Sequence, residues 1–570
     1  MAPLPVSARD QTPLLLSSLL DRGSELQPDN LIVTRTSKAF QQLTFKEHQV
    51  KAHQLGSALE RWGVVLGDRI GTLLWNSAAH LQCYHAISCM GAVLHTLNLR
   101  LSSKDLGVII EHAKDRLIFV DSDLLALLGS VEASILGTVE QFVCLGADWE
   151  RGNFTLPPQI PKAKTTTYED FLATGSPDYQ WPTFPETSYH GLCYTSGTTG
   201  MPKGAAFSHR STYLHTLCNL MTDQLGLTGH DVLLPFVPMF HVMAWGTPFM
   251  ALTVGTRLIF NGKQMDPKTL LESILQWEVS FSNGVPTVWQ GVQALIEDLG
   301  IQKVAEQSRL KRLMCGGSSP PAAMMTWYWE HLRVEFLQGW GMTETSPMAS
   351  VGKRVSRHRD LALSDEDKNK NSAKAGVMVP GIEIRIADPD DLDKELPAGT
   401  PGEVLLRGPW AITEYFLYDA PEKFHKGWLV TGDVAKLDEV NAVVLTDRSK
   451  DVIKSGGEWI SSIDLENHIA GMKDVAVAAV VSMPHPKWDE RPVAVVQLSA
   501  DGEKDMQKLR EKVNEHCLKT FAKFQLPDDI LVWDALPLTS TGKLDKKVVR
   551  QKLKDMNYVL PTAAPTTSKL

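Results

Sequence analysis

Runs of apolar residues with the period of strands alternate with runs that have the period of helices along most of this 570-residue chain. Apolar positions recur at helical spacing between 43 and 67, which predicts a helix and then a turn at Gly67. The segment 69–75 has the pattern of a strand, 78–90 that of a helix, and 104–187 continues the alternation. Strands that alternate with helices predict an α/β fold with a mostly parallel sheet.

The last part of the chain shows the same two periods over a shorter length. Strand-like runs at Val475 to Val481 and Val493 to Leu498 precede a helix-like run at Met506 to His516, which predicts a small α+β domain over about 451–557. Since 570 residues exceed what one core accommodates, at least two domains are expected. The charged segment 352–374 contains few apolar residues, and we expect a solvated, mobile loop there.

One stretch departs from this patterning because it loses almost all side-chain bulk. The residues from Tyr194 to Gly204 follow a short apolar strand and consist mainly of glycines and small hydroxyl residues, with Lys203 near the end. Glycines let backbone N–H groups approach an anion closely, and hydroxyls and a lysine add donors and charge. The stretch is not a Walker A loop, since Lys203 is followed by glycine. It predicts a loop that holds a triphosphate.

Composition and charge narrow the class of ligand. The chain is 43% hydrophobic and 22% charged, and its net charge of −9 argues against a general nucleic-acid binder. The seven cysteines have no metal-type spacing, which favours a reducing compartment. The first ten residues contain no apolar signal region, and no run reaches the roughly 20 apolar residues that span a bilayer.

Four further segments, together with Tyr194 to Gly204, carry a family resemblance. They are Gln338 to Thr345, Trp428 to Asp433, Asp447 to Ile460 and Pro537 to Lys543. These segments resemble the motifs of the adenylate-forming superfamily, which contains acyl-CoA synthetases, luciferases and adenylation domains, and the resemblance covers roughly 40–557. It implies a large multi-subdomain N-terminal domain (1–447), a hinge at 448–450 around Lys450, a small mobile C-terminal domain (451–557) and a flexible tail (558–570).

The resemblance also implies the residues that bind ATP and Mg²⁺. Lys543 would enter the active site from the small domain, Thr343 would bind the α-phosphate, and Glu344 would hold Mg²⁺. Asp433 and Arg448 would contact the ribose, and Trp340, where the family more often has tyrosine, would offer its ring to adenine. The other nucleotide contacts would come from Thr195, Ser196, Gly197, Thr198, Thr199, Gly200, Lys203, Gly317, Ser318 and Gly339.

A second group of residues would bind the acid and coenzyme A. The segment 238–246 resembles the histidine-containing wall of the acyl pocket, so His241 and Trp245 would meet the substrate, with Val285 and Gly341 beside them. Each could instead be an ordinary core residue. In the small domain, the coenzyme A channel would be lined by Lys454, Gly456, Gly457 and Trp459.

These parts imply an ATP-dependent acyl-CoA synthetase for a medium- or long-chain fatty acid, working through an acyl-adenylate. A CoA ligase for an aromatic or specialised acid, a luciferase-like oxygenase, an enzyme that loads a carrier protein, and a non-catalytic nucleotide binder stay open as alternatives. The final residues, Ser568-Lys569-Leu570, match the tripeptide that the peroxisomal import receptor recognises, which predicts a peroxisomal location. Oligomeric assembly stays open too.

Overall fold

The computed structural model describes residues 12–36, 39–146, 152, 154–195, 202–456, 458–499, 501–539 and 543–560. The predicted loop residues Ser196 to Gly200, the predicted channel residue Gly457 and the terminal Ser568-Lys569-Leu570 lie outside these ranges. Within the described ranges, the strands form four sheets. Two are mostly parallel and belong to the large N-terminal domain, as the α/β pattern predicts.

The first sheet is parallel at its centre and antiparallel at both edges. Its strands, in spatial order, are Val377–Met378, Met348–Gly352, Glu335–Gly341, Arg312–Gly316, Phe281–Gly284, Val232–Pro235, Arg257–Phe260, Leu31–Arg35 and Phe40–Thr44. The second sheet has the order Thr165–Thr167, Gln141–Leu145, Leu117–Asp121, Arg69–Leu73, Val93–Thr96, Tyr189–Thr195 and Lys203–Ser208, with an antiparallel last pair.

The helix Ala78–Cys89 lies between these two sheets. It contacts strand Leu31–Arg35 of the first sheet and strand Arg69–Leu73 of the second, and it is buried around almost its whole circumference. A helix that is apolar on every side is buried on every side. The two sheets and this helix therefore share one continuous core.

The helices of the large domain follow the predicted rhythm with small shifts at their ends. The one predicted within 43–67 runs over Phe45–Trp62, begins with a capping box between Thr44 and Glu47, and ends at Gly63. The α-helices of both domains are Ser17–Leu20, Arg22–Leu26, Phe45–Trp62, Ala78–Cys89, Ser103–Ala113, Leu125–Leu128, Ala133–Thr138, Tyr168–Ala173, His209–Leu220, Thr247–Val254, Pro267–Gln276, Pro286–Leu299, Ile301–Gln307, Ala322–Leu332, Asp365–Ser372, Ser462–Ala470, Met506–Cys517 and Lys546–Asp555.

Two smaller sheets complete the molecule. An antiparallel sheet of strands Asp391–Glu395, Glu383–Asp388, Gly402–Arg407, Trp428–Leu437, Phe424–His425 and Val443–Arg448 precedes the predicted hinge. The small C-terminal domain holds Glu458–Ile460, Ile453–Ser455, Asp489–Leu498, Val475–His485 and Asp529–Val532 in one sheet with its own apolar clusters. The predicted α+β character of this domain is confirmed.

The prediction of a mobile loop over 352–374 is wrong for much of that segment. Residues Asp365–Ser372 form a helix, capped by the Ser364 side chain, which accepts from the backbone N of Asp367. Arg354 is buried, lies 3.8 Å from the centroid of the Trp329 ring, and forms an ion pair with Asp365 at 2.7 Å. The composition of the segment does not indicate these contacts, because the ring that packs on Arg354, that of Trp329, lies outside the segment.

Two further features concern the whole chain. All seven cysteines have free thiols that are buried. None of the helices in the described ranges is long and apolar enough to cross a membrane.

The parallel strands bring the predicted motifs to one place. Four strands end within or directly before predicted site residues, namely Tyr189–Thr195, Phe281–Gly284, Arg312–Gly316 and Glu335–Gly341. Ligands of open α/β sheets bind beyond the carboxyl ends of the strands. The candidate site therefore lies at this edge, between the two sheets and the small domain.

Candidate active site

Lys543 of the small domain reaches the large domain. A Cβ atom built on Gly317 would lie 3.0 Å from Cε of Lys543 and 3.3 Å from Cγ1 of Val285, so the lysine side chain lies over this glycine. The lysine carbonyl accepts from the backbone N of Thr539 at 2.7 Å. Burial, with the nearby charge of Arg448, lowers the pKa of Lys543 to about 8. The structure thus joins the predicted catalytic lysine to the predicted nucleotide-binding and acyl-pocket residues.

Asp433 is held by two donors at the same place. The register of the strands pairs Asp433 with Arg448, and Nε of Arg448 lies 3.1 Å from Oδ1 of Asp433. Nε1 of Trp340 donates to Oδ2 of Asp433 at 3.1 Å. The charge of Asp433 raises the pKa of Arg448, which keeps the guanidinium charged. A fixed carboxylate of this kind accepts hydrogen bonds from a pair of ribose hydroxyls.

The geometry of Trp340 gives it a role that the sequence did not suggest. The side chain is only 8% exposed, and its N–H is directed at Asp433. The structure therefore shows an indole that orients the predicted ribose ligand, while adenine stacking stays a prediction.

Glu344 is a buried carboxylate next to Thr343. The 3₁₀ turn Thr343–Thr345 follows strand Glu335–Gly341, and Glu344 is 6% exposed. Oε1 of Glu344 accepts from the hydroxyl of Tyr415 at 2.6 Å. Within the described residues, no cluster of three or more metal-ligating side chains occurs. A single buried carboxylate fits Mg²⁺, which takes one or two carboxylates and completes its shell with water and phosphate oxygens.

The described ends of the phosphate loop are antiparallel strands. Thr195 pairs with Lys203 in their register, and the Thr195 hydroxyl donates to the Lys203 carbonyl at 3.4 Å. The residues between them, Ser196 to Gly200 and Met201, lie outside the described ranges. Nζ of Lys203 forms an ion pair with Glu422 at 3.1 Å. The loop is thus anchored at both ends by sheet hydrogen bonds.

The predicted acyl wall is a buried turn with an unusual backbone. Residues 242–246 all have positive φ angles, from 33° at Val242 to 73° at Gly246, which for non-glycine residues costs free energy. This turn buries Trp245, whose ring lies 3.2 Å from a Cβ built on Gly316. Burial, with the charge of Lys543, lowers the pKa of His241 to about 3, so the imidazole is neutral. The apolar wall therefore lies beside the predicted catalytic lysine.

For Gly339, Gly341 and Ser318, the surrounding structure does not show how each residue would contact a ligand. The space above Gly339 is taken by the Met314 and Met348 side chains, at 3.1 Å and 3.3 Å from a built Cβ. A Cβ on Gly341 would lie 1.7 Å from the carbonyl oxygen of Pro347, so close backbone packing alone requires glycine there. Ser318 is exposed. Their contacts with ligands stay predictions.

The predicted coenzyme A residues form a separate hairpin in the small domain. Lys454 pairs with Trp459 across strands Ile453–Ser455 and Glu458–Ile460, with Gly456 at the turn. Hydrogen bonds join this hairpin to Trp488 and Glu490 of the same domain. Lys543 is the residue of the small domain that lies over Gly317, with the charges of Asp433 and Glu344 near it. Lys450 lies in the exposed turn between the two domains.

Sequence reasoning missed two sets of residues that hold the site. One is Tyr415 with its neighbours, which follow Glu344 by about seventy positions without a motif. The other is the buried ion pair between Lys546 and Glu466, with Nζ and Oε1 2.8 Å apart, three residues after Lys543. A charged pair at helical positions has no sequence feature that distinguishes it from solvated surface charges.

Comparison with known proteins agrees with this geometry. The model of the AMP-binding enzyme family matches residues 20–416, and that of the AMP-binding enzyme C-terminal domain matches 464–543. The chain is 38% identical to a 3-methylmercaptopropionyl-CoA ligase of Ruegeria lacuscaerulensis, over 95% of this chain and 98% of that protein. It is 35% identical to the medium-chain-fatty-acid–CoA ligase of Ectopseudomonas oleovorans and 39% identical to the long-chain-fatty-acid–CoA ligase of Thermus thermophilus, each over 95% of this chain and 96% of the relative.

A solved structure shares the fold. The crystal structure of the anthranilate CoA ligase AuaEII with anthranoyl-AMP superimposes with a TM-score of 0.83 at 23% identity, covering 97% of this chain and all of that one. The chain therefore belongs to the AMP-binding enzyme family and is an AMP-forming acid–thiol ligase that makes acyl-CoA thioesters through acyl-adenylates.

Proposed function

We propose that the acid activated by this ligase is an aliphatic one of medium or long chain. The observation that carries the proposal is the buried wall of Trp245 and its turn, next to the neutral His241 and to Lys543. An apolar wall suits an alkyl chain, and the absence of a charged side chain among the described residues 242–246 suits a substrate whose only charge is its carboxylate. Similarity to a medium-chain-fatty-acid–CoA ligase and a long-chain-fatty-acid–CoA ligase supports the same class.

In the first step, the substrate carboxylate attacks the α-phosphorus of ATP and pyrophosphate leaves. Two anions must approach each other, so the contribution of the protein is positioning and positive charge. Lys543 supplies the charge, Thr343 a hydroxyl donor, and Asp433 with Arg448 fixes the ribose. Mg²⁺, when bound through Glu344, would neutralise phosphate oxygens.

In the second step, the thiol of coenzyme A attacks the acyl carbonyl and AMP leaves. Lys543 has no role here, and the hairpin of Lys454, Gly456 and Trp459 must approach the site instead. Both features belong to the small domain, so we propose that this domain turns about Lys450 between the steps. The orientation with Lys543 over Gly317 suits the first step.

The experiment that tests the substrate class is AMP release with a panel of acids, each with and without coenzyme A. The panel runs from short to long aliphatic acids, and includes thioether and aryl-alkanoic acids. Turnover that requires coenzyme A and peaks on medium or long aliphatic acids supports the proposal. A peak on aromatic or thioether acids would overturn the substrate class, and adenylation indifferent to coenzyme A would point to a carrier-loading or luciferase-like reaction.

We also propose that Ser568-Lys569-Leu570 directs the protein to peroxisomes through the import receptor. The support is the sequence of the tripeptide. A fluorescent protein fused to the N-terminus should collect in peroxisomes, and the same fusion without the last three residues should stay in the cytosol. Cytosolic fluorescence from both fusions would overturn the proposal.

A further inference from the structure

Tyr415 links two parts of the nucleotide site that are distant in sequence. Its hydroxyl donates to Oε1 of Glu344 at 2.6 Å. Three residues earlier, the backbone N of Ile412 donates to the backbone carbonyl of Glu344 at 2.9 Å. Segment 412–415 therefore holds Glu344 by both its main chain and its carboxylate. The main-chain bond restricts the backbone of Glu344, so the side-chain bond has to restrict only the side-chain rotamers. The two bonds together therefore fix the carboxylate better than either bond alone.

The Tyr415 hydroxyl directs its hydrogen at one carboxylate oxygen of Glu344, Oε1. Among the described residues, this bond leaves Oε2 of Glu344 as the oxygen available to a cation.

The ring of the same tyrosine faces the lysine of the phosphate loop. Nζ of Lys203 lies 5.2 Å from the centroid of the Tyr415 ring and 4.9 Å from that of Tyr418, within the range of cation–π attraction. The backbone N of Phe416 donates to the carbonyl of Gly204 at 2.8 Å, next to Lys203. The segment is therefore fastened to the strand that leaves the phosphate loop.

From these contacts we infer that Tyr415 is a positioning residue whose hydroxyl sets Glu344 for Mg²⁺ next to the phosphate loop. The inference rests on the proposed function, because it concerns the site of the proposed Mg²⁺–ATP complex. Tyr179 provides a matched control, since its hydroxyl donates to Oε1 of a different glutamate, Glu60, at 3.1 Å.

The test measures binding and requires no turnover. Affinity for a non-hydrolysable ATP analogue is followed by calorimetry at increasing Mg²⁺, for the wild type, Tyr415→Phe and Tyr179→Phe. Tyr415→Phe keeps the ring and removes the hydroxyl, so it should need about ten- to hundredfold more Mg²⁺ for half-maximal affinity, the size expected for one hydrogen bond to a charged group. Tyr179→Phe, which removes a hydrogen bond to Glu60, should match the wild type. Equal Mg²⁺ requirements for all three proteins would overturn the inference.

A second measurement separates positioning from a general loss of folding. In the background of Glu344→Gln, Tyr415→Phe should cause no additional change in analogue affinity, because residues that act through one group are not additive. Additive effects would overturn the inference. If the wild type bound the analogue without any dependence on Mg²⁺, the proposed Mg²⁺ site itself would fail, an outcome distinct from equal requirements among Mg²⁺-dependent proteins.

Discussion

Nε1 of Trp340 donates a hydrogen bond to Oδ2 of Asp433 at 3.1 Å. The two residues come from different sheets, so the bond joins the large parallel sheet to the antiparallel sheet that precedes the hinge. Trp340 stands where the resemblance predicts tyrosine more often, and its indole N–H contacts the predicted ribose ligand. Nucleotide affinity should therefore depend on the indole N–H.

Trp340→Phe keeps an aromatic ring and removes this donor. We expect AMP to bind about ten- to hundredfold more weakly, since one hydrogen bond to a charged group contributes about 1.5–3 kcal/mol. Calorimetric titration with AMP measures the change. The melting temperature of each protein serves as the control for folding, and unchanged AMP affinity in a folded variant would contradict the assignment.

Lys543→Ala should slow the first step strongly and spare the second. Removing a preorganised charge costs about 10²–10³ in rate, so pyrophosphate release should fall by that factor, while thioester formation from a synthetic acyl-adenylate should change little. Equal loss of both steps would contradict the proposed turn of the small domain.

The pH dependence of the first step follows from the same residue. Burial lowers the pKa of Lys543 to about 8. The charged amine is the active form, so pyrophosphate release should fall as pH rises through about 8. Thioester formation from the acyl-adenylate should lack this decline. Lys543→Arg, which stays charged, should move the decline to higher pH, and a decline shared by both half-reactions would assign the titration to another group.

Gly317→Ala should displace the lysine. Its φ is +87°, and the added Cβ would lie 3.0 Å from Cε of Lys543. The lysine would have to give way by a few tenths of an ångström, less than the displacement of about 1 Å that costs about 10²-fold in rate, so pyrophosphate release should fall by about three- to tenfold. Gly399→Ala is the control, since its φ is +88° and its Cβ meets no atom within 4 Å. Equal effects of both variants would show that backbone strain, and not displacement of Lys543, lowers the rate of pyrophosphate release.

Glu466→Ala should weaken the small domain. It removes the carboxylate that lies 2.8 Å from the buried ammonium of Lys546, while the charge of Asp447 stays nearby. The loss should therefore be about 2–3 kcal/mol, below the roughly 3–5 kcal/mol that an uncompensated buried charge costs. Urea unfolding measures the loss. Glu366→Ala breaks an exposed pair with Lys370 and should cost less than about 1 kcal/mol. Similar losses from both would show that the buried pair is not important for stability.

The parts that could be predicted from sequence are those in which one local segment carries the information. The helix Phe45–Trp62 has its period and its caps within its own residues, and the motif of Lys543 is contiguous. The contacts of Tyr415 and of Arg354 could not be predicted, because their partners, Glu344 and the Trp329 ring, lie in other segments of the chain. Contacts of this kind depend on the sheet order, which composition and periodicity leave undetermined.

The seven buried cysteines have a consequence for handling the protein. Burial raises the pKa of every one of these thiols, so little reactive thiolate exists at neutral pH. A thiol-modifying dye should therefore leave the native enzyme almost unlabelled and react as soon as the chain opens. Six of the positions belong to the large domain and Cys517 to the small one. The order in which they acquire label would show which half of the molecule unfolds first, without any engineered probe.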